Sequence, residues 1–187
     1  KQGIDVIVTD HHEPPNILPD ACATINPHQK GCAYPDKNLS GVSIAFKLCE
    51  ALSFELHNSS FWKHLDLVAL GTISDVAPIL GENRILVKEG LKLLKNNNSN
   101  KGIGALIEVS GIKKDKIGAF EIGFILGPRI NAAGRLGSAG TAVELLLTDD
   151  DEKAKELAKK LNEADRGRQK IEKSTLRGAV SKIERDI

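Results

Sequence analysis

The sequence predicts an α/β fold: part of a mostly parallel sheet with flanking helices, followed by a small helical unit and a long connecting helix. Three observations carry this. The run Ile4-Asp5-Val6-Ile7-Val8 is rich in β-branched residues, with the near-continuous apolar character of a strand buried in a parallel sheet. Segments with apolar residues at helical spacing then follow, separated by Gly-, Pro- and Asn-rich punctuation. From Asp151 onward the apolar stripe (Ala154, Leu157, Ala158, Leu161) is narrow and the rest polar, a pattern common in helices that bridge domains.

Each element has a local reason. Pro14, Pro15 and Pro19 forbid a helix straight after the first strand. Ala21 to Ile25 is a second short apolar run closed by Asn26-Pro27, and residues 27–39 read as a surface loop. Ser40 is a good N-cap, because its hydroxyl can accept from an orphan backbone N–H. The helix it opens carries Val42, Ile44, Ala45, Leu48, Cys49 and Leu52 as one apolar stripe. A second helix is expected over Phe61 to Ile73, with Leu65, Val68, Ala69 and Thr72 on one side, and a third over Ile85 to Leu94. The tract Asn96 to Asn100 ends it. Ile103 to Val109 and Ala119 to Leu126 read as helical despite Gly104 and Gly123 within them and Gly118 just before the second, Thr141 to Leu147 as a short helix, and Asp149, Asp150 and Asp151 suit the positive end of the last helix. The expected divisions are residues 1–95, 96–148 and 149–187.

Composition narrows the function classes. With 187 residues, 41% hydrophobic, the chain can bury a real core as one large domain or one domain with an appendage. A formal charge of +1 supplies no bulk positive field, so any nucleic-acid contact must come from local patches. Three cysteines, an odd number, argue against a disulfide framework and for a reducing cytoplasm. No apolar run reaches membrane-spanning length and nothing at the start reads as a signal peptide. Methionine is absent, position 1 included, and a strand begins almost at once; the expectation is a piece of a longer protein.

Two constellations invite metal chemistry. Asp10-His11-His12 sits where the first strand should end, and ligands of open α/β sheets collect outside the carboxyl ends of strands. Carboxylate and imidazole together suit manganese, iron or zinc. The competing reading is a hydrogen-bonded turn capped by the aspartate. Asp75 follows Gly71-Thr72-Ile73-Ser74 among apolar neighbours, where a carboxylate is costly unless it meets a cation or donors. The competing reading is a cap on the segment beginning at Val76.

A third constellation, Gly127 to Ser138, offers an anion cradle. Gly127, Gly134 and Gly137 allow close backbone approach, Arg129 and Arg135 present planar forks that match phosphate oxygens, and Asn131 and Ser138 add neutral donors. It is not a Walker sequence. Its bland alternative is a glycine-rich interdomain turn. Cys22, His28 and Cys32 lack a paired-cysteine spacing and a fourth zinc ligand. His57 and His64 read as structural, and Arg166, Arg168 and Lys170 as a wet basic face unless the helix lines a groove.

In order, the blocks Val6 to Glu13, Asn26-Pro27-His28, Leu39 to Leu48, Asp66 to Thr72, Asp75 to Pro78, Glu82-Asn83-Arg84, Gly127 to Arg135 and Asn162 to Arg166 resemble the DHH phosphoesterase superfamily. Within it they are most similar to the RecJ type of single-strand-specific exonuclease, over nearly the whole chain. The resemblance implies 5′-to-3′ hydrolysis of single-stranded DNA in repair and recombination, with two Mn2+ or Mg2+ ions that polarise phosphoryl oxygens and generate hydroxide. Carried over by motif, His11 and Asp75 would be metal ligands and Asp10 would orient His11. His12 would face the phosphate or support the metal shell, and Arg129, Asn131, Arg135 and Ser138 would hold the DNA. Repair or replication proteins are the implied company. The resemblance also implies carboxylate ligands upstream of Lys1, so this chain alone is expected to bind metal weakly and to have little nuclease activity. Manganese pyrophosphatases and small-nucleotide phosphodiesterases share the Asp-His-His motif, and a non-catalytic DNA-binding scaffold is the reading of a different class.

Overall fold

The computed structural model describes residues 3–57, 60–96, 99–136 and 139–186, with backbone alone at 135, 136 and 186. Ser138 therefore lies outside the described residues, and of Arg135 only the backbone is placed. The elements are β1 (Ile7–Thr9), β2 (Ala23–Ile25), α1 (Gly41–Glu55), α2 (Leu65–Ser74), α3 (Gly81–Lys95), α4 (Lys101–Val109), α5 (Ala119–Glu121), α6 (Gly127–Leu136), α7 (Gly140–Leu147) and α8 (Asp151–Asp186). They group into two compact units, Lys1–Ser99 and Asn100–Ile187.

In the first unit β1 and β2 pair in parallel, Ile7 opposite Ala23 and Thr9 opposite Ile25. The sheet expected to be buried is not: Ile4 is 71% and Ile7 55% exposed. Only two strands form it among the described residues, so β1 lacks the second neighbour and the covering layers that bury a parallel strand. The edge this leaves is of the kind that invites further pairing.

The core of this unit is Phe46, Leu65 and Val68, with Val42, Phe61, Leu86 and Leu93 packed against it. The buried face of α1 differs from the expected stripe. Ser43, Ile44 and Phe46 are buried, whereas Ala45, Cys49 and Leu52 are exposed. Ser43 is inside because other helices supply its hydrogen-bond partners. Phe61 lies in a 3-10 turn (Ser60–His64) that leads into α2. The helix α2 is buried on nearly all sides, Asp66 and Thr72 included. It crosses α3 closely: a Cβ on Gly90 would stand 2.1 Å from the Leu65 carbonyl oxygen. Helix α3 starts earlier than the apolar pattern indicated, because Asp36 Oδ2, from a distant loop, accepts from the Glu82 amide at 2.8 Å.

In the second unit Asn100 caps α4, accepting from Ile103 N at 3.2 Å and donating to Leu146 O at 2.8 Å. The segment Gly127 to Leu136 is a helix, not a glycine-rich loop. It continues from α5 through a π-helical turn, Ile122–Leu126. Pro128 explains both facts. It is tolerated in the first turn of a helix, and the widened turn before it relieves its clash with a preceding carbonyl. Along α8 the expected residues Ala154, Leu157, Ala158 and Leu161 are buried. The stripe then continues into buried Asn162 and Asp165, and α8 packs on α4, α6 and α7. The helix expected to follow the helical unit thus shares one packed body with it.

Candidate metal centre

The end of β1 is held by its own aspartate. The Asp10 amide donates to Ile25 O at 3.0 Å, extending the ladder by one bond. Asp10 Oδ1 then accepts from the backbone of His11 (2.8 Å) and His12 (3.3 Å) and meets His12 Nδ1 at 2.7 Å. The hydrogen bond from the His12 ring, with the backbone donors behind it, holds the Asp10 carboxyl below its usual range. The capped turn weighed against a metal site is therefore present, but it does not consume His11. The two imidazoles stand with centroids 4.3 Å apart and tilted. His12 points outward, its side chain 76% exposed, while that of His11 is 23% exposed.

His11 Nε2 lies 3.4 Å from Asp75 Oδ2. Asp75 is carried to that point by the ending of α2. It is the C-cap, its amide donating to Gly71 O at 2.9 Å, and Ala77 N and Val76 N return to Thr72 O and Ile73 O at 3.2 and 3.1 Å. This pair of bonds is the Schellman ending, which needs a left-handed residue after the cap. Here that residue is Val76, at φ 58, where a β-branched side chain is strained. Asp75 thus closes α2 instead of capping a following helix, and its carboxylate is left free to face the imidazole.

Neighbouring loops brace the histidines. Asn26, 4% exposed, donates to His12 O at 2.8 Å and accepts from His28 N at 2.9 Å. His28 Nδ1 lies 3.3 Å from Glu13. The cysteines Cys22, Cys32 and Cys49 are free. Asp10 reaches His11 only through the backbone amide; its carboxylate serves the His12 ring.

The donor set fits a hard or borderline divalent cation in kind, one imidazole nitrogen and one carboxylate oxygen, and falls short in number. Among the described residues no group of three or more His, Cys, Asp or Glu side chains is poised around one point.

In the second unit Arg129 is turned inward. Its Nε donates to Asn162 Oδ1 at 3.0 Å and its Nη1 to Ile125 O at 2.6 Å, the carbonyl in the π-helical turn. Asp165, 1% exposed, lies 3.9 Å from Nη1 and also takes Arg168 (2.9 Å) and Gln169 (2.8 Å). Burial pushes the Arg129 guanidinium below its ordinary value and Asp165 works in the other direction. Asn131 is on the exposed face of α6. The buried polar pair Asn162 and Asp165 was missed as such. Extending the stripe of α8 by helical periodicity lands on both.

Residues 1–72 match the DHH family, N-terminal domain. The single-stranded-DNA-specific exonuclease RecJ of Dickeya dadantii is 43% identical over 92% of this chain and 32% of that protein. RecJ of Bacillus subtilis is 42% identical over 97% of this chain and 22% of that protein. The chain thus spans about a third or less of the length of these relatives. A crystal structure of exonuclease RecJ bound to manganese superposes with a TM-score of 0.87 at 39% identity, over 97% of this chain and 45% of that one. RecJ from Thermus thermophilus in complex with Mn2+ gives 0.85 at 40% identity, over 95% of this chain and 26% of that one.

Proposed function

Because this chain belongs to the DHH family and is of the RecJ type, we propose that its protein is a metal-dependent 5′-to-3′ exonuclease of single-stranded DNA, acting in repair and recombination. The observation that carries the reading is the approach of His11 Nε2 to Asp75 Oδ2, 3.4 Å apart although 64 positions separate them in sequence. These two side chains would hold a divalent cation; the matched RecJ structures from Thermus thermophilus are in complex with Mn2+ and with Mg2+. Such an ion, when bound, polarises the phosphoryl oxygens and lowers the pKa of water.

The chain's own residues do the rest. Asp10 fixes the turn that aims His11, through two backbone amides, and orients the exposed His12 ring, which would face a phosphate or support the metal shell. Asn131, with Arg135 and Ser138, would supply donors to the DNA backbone. Arg129 would act with two of its donor atoms already engaged, and so as the residue that fixes α6 as much as a phosphate contact. Among the described residues no helix is long and apolar enough to cross a membrane, and a cytoplasmic site of action is part of this proposal.

One observation favours a second reading, a DNA-binding scaffold: among the described residues only two metal donors meet. Incubation of this chain with 5′-labelled single strands and Mn2+ tests whether the two donors suffice for hydrolysis. Two donors cannot saturate a two-metal site, so manganese should bind weakly, with little or no product; robust 5′ degradation overturns that expectation. For the protein carrying the chain, the exonuclease reading expects loss of mononucleotide release in His11→Ala and Asp75→Asn. Turnover of pyrophosphate or dinucleotides with none on long strands would instead place it with the other DHH phosphoesterases.

A further inference from the structure

We propose that Ser40, Ser43, Thr72 and Asn83 form a buried positioning device that sets Asp75 against His11. The inference rests on the reading that this pair holds a divalent cation. All four residues are at most 1% exposed. Ser40 Oγ lies 2.7 Å from Thr72 Oγ1 and 2.8 Å from Ser43 Oγ, and Ser43 Oγ donates to Asn83 Oδ1 at 3.0 Å. Asn83 Nδ2 donates in turn to the carbonyls of Asn38 (2.6 Å) and Pro78 (3.1 Å).

Every end of this network leads to the site. Ser40 caps α1, and the next residue, Gly41, lies against the His11 ring: a Cβ there would stand 3.3 Å from His11 Cδ2 and 3.7 Å from Nε2. Thr72 sits one turn before Asp75, and its carbonyl closes the left-handed turn at Val76. Asn83 ties together the loop that precedes Ser40 and the loop that follows Asp75. The N-terminus of α1 is therefore the common frame for two side chains that come from distant parts of the sequence.

Packing alone holds a separation loosely, because apolar contacts have no preferred direction. A satisfied chain of hydroxyl and amide bonds fixes direction as well as distance, and the strain at Val76 needs such a surrounding to persist. These four residues touch no reacting atom; they act through Asp75 and His11.

The test measures Mn2+ affinity of the purified protein that carries this chain from the electron paramagnetic resonance of free Mn2+, beside thermal denaturation without metal. Asp75→Asn is the reference for loss of a ligand. Thr72→Val removes the hydroxyl while keeping the branched shape, and should weaken Mn2+ binding about 10- to 100-fold in a chain that retains its helix content. Thr72→Ser should restore affinity to within about twofold, which a merely structural role for the side chain does not require. If Thr72→Val does not fold, Ser43→Ala is read the same way. Affinity unchanged in the folded variant while Asp75→Asn loses it overturns the inference and leaves the metal reading standing. If the unsubstituted protein binds Mn2+ no better than its Asp75→Asn variant, the metal reading fails and the inference falls with it.

Discussion

Both units bury a polar network, and the two are built from opposite chemistry. In the first, hydroxyls and one amide satisfy one another without formal charge. In the second, the Asp165 carboxylate is surrounded by Arg129, Arg168, Gln169 and, through Arg129, Asn162. A neutral network costs little to bury once each group has a partner. A buried carboxylate is tolerable only while several donors compensate for lost water. The neutral network lies behind side chains that face outward with capacity to spare, His11 and Asp75. The charged one has taken up the donors of the arginine that looked most available for a ligand. The difference teaches that a dense motif marks a place of strict chemical demand, and that the demand can come from the fold itself.

The largest effect that can break this comparison is Asp165→Ala. It strands Arg129, already disfavoured by burial, and deprives Arg168 of a partner. Removing one member of a buried ionic set costs about 3–5 kcal/mol, and the partial exposure of Arg168 argues for the lower end. Urea denaturation followed by far-ultraviolet circular dichroism should show the loss. Trp62, the chain's single tryptophan, reports the first unit, and its fluorescence transition should hold its midpoint. A matching shift in both signals would show that the units unfold together and that the two networks cannot be assigned separate roles.

A smaller effect tests a charged contact at the margin of the first unit. Tyr34, the chain's single tyrosine, donates to Glu82 Oε2, and Glu82 also faces Lys47 at 3.8 Å. Burial, then the bond to Glu82, pushes the phenol from 10.0 up to about 12. The folded pKa is raised, so the contribution to stability is complete below the ordinary value and is lost as pH rises through about 12. Absorbance titration should place phenolate formation near that value in the folded chain and near 10 in urea. Tyr34→Phe should cost about 1–2 kcal/mol. Phenolate forming near 10 in the folded chain would show that the contact between Tyr34 and Glu82 is not made in solution.

Much of this architecture was legible in the sequence because its determinants are local. The Ser40 cap, the buried side of α2 and the stripe at Ala154, Leu157, Ala158 and Leu161 follow from side-chain chemistry and helical period. The meeting of His11 with Asp75, 64 positions apart, was expected only through the resemblance to the RecJ type, not from the local chemistry of either segment. What could not be read is non-local. Asp36 caps α3 from 46 positions away, and Ser43 is buried because Thr72 and Asn83 wait for it. The glycines of the Gly127 block suggested a loop, whereas Pro128 in a first turn and the buried alanines Ala132 and Ala133 make it a helix. The exposure of Ile4 and Ile7 depends on which layers surround the sheet, which no strand's own sequence contains.

The smallest expected effect supplies the control for the charged side, a carboxylate stabilised at the surface. Asp150 Oδ1 accepts from the amides of Glu152 (2.9 Å) and Lys153 (3.0 Å) at the start of α8. Those backbone bonds, Lys153 first, hold its carboxyl below the ordinary 3.8. A lowered folded pKa means that the contribution is fully present above the ordinary value and disappears as pH falls through the folded one. Asp150→Asn keeps an oxygen for the cap and removes the titration, so it should be slightly less stable than the parent near neutrality and lose less on acidification. Asp150→Ala loses the cap at every pH. Because the group is open to solvent, added salt should shrink the gap between parent and Asp150→Asn, whereas the deficit of Asp165→Ala, made inside the unit, should barely respond. Equal salt sensitivity at both positions would mean that the Asp165 cluster is wet, and the contrast between the two networks would then lie only in charge, not in burial.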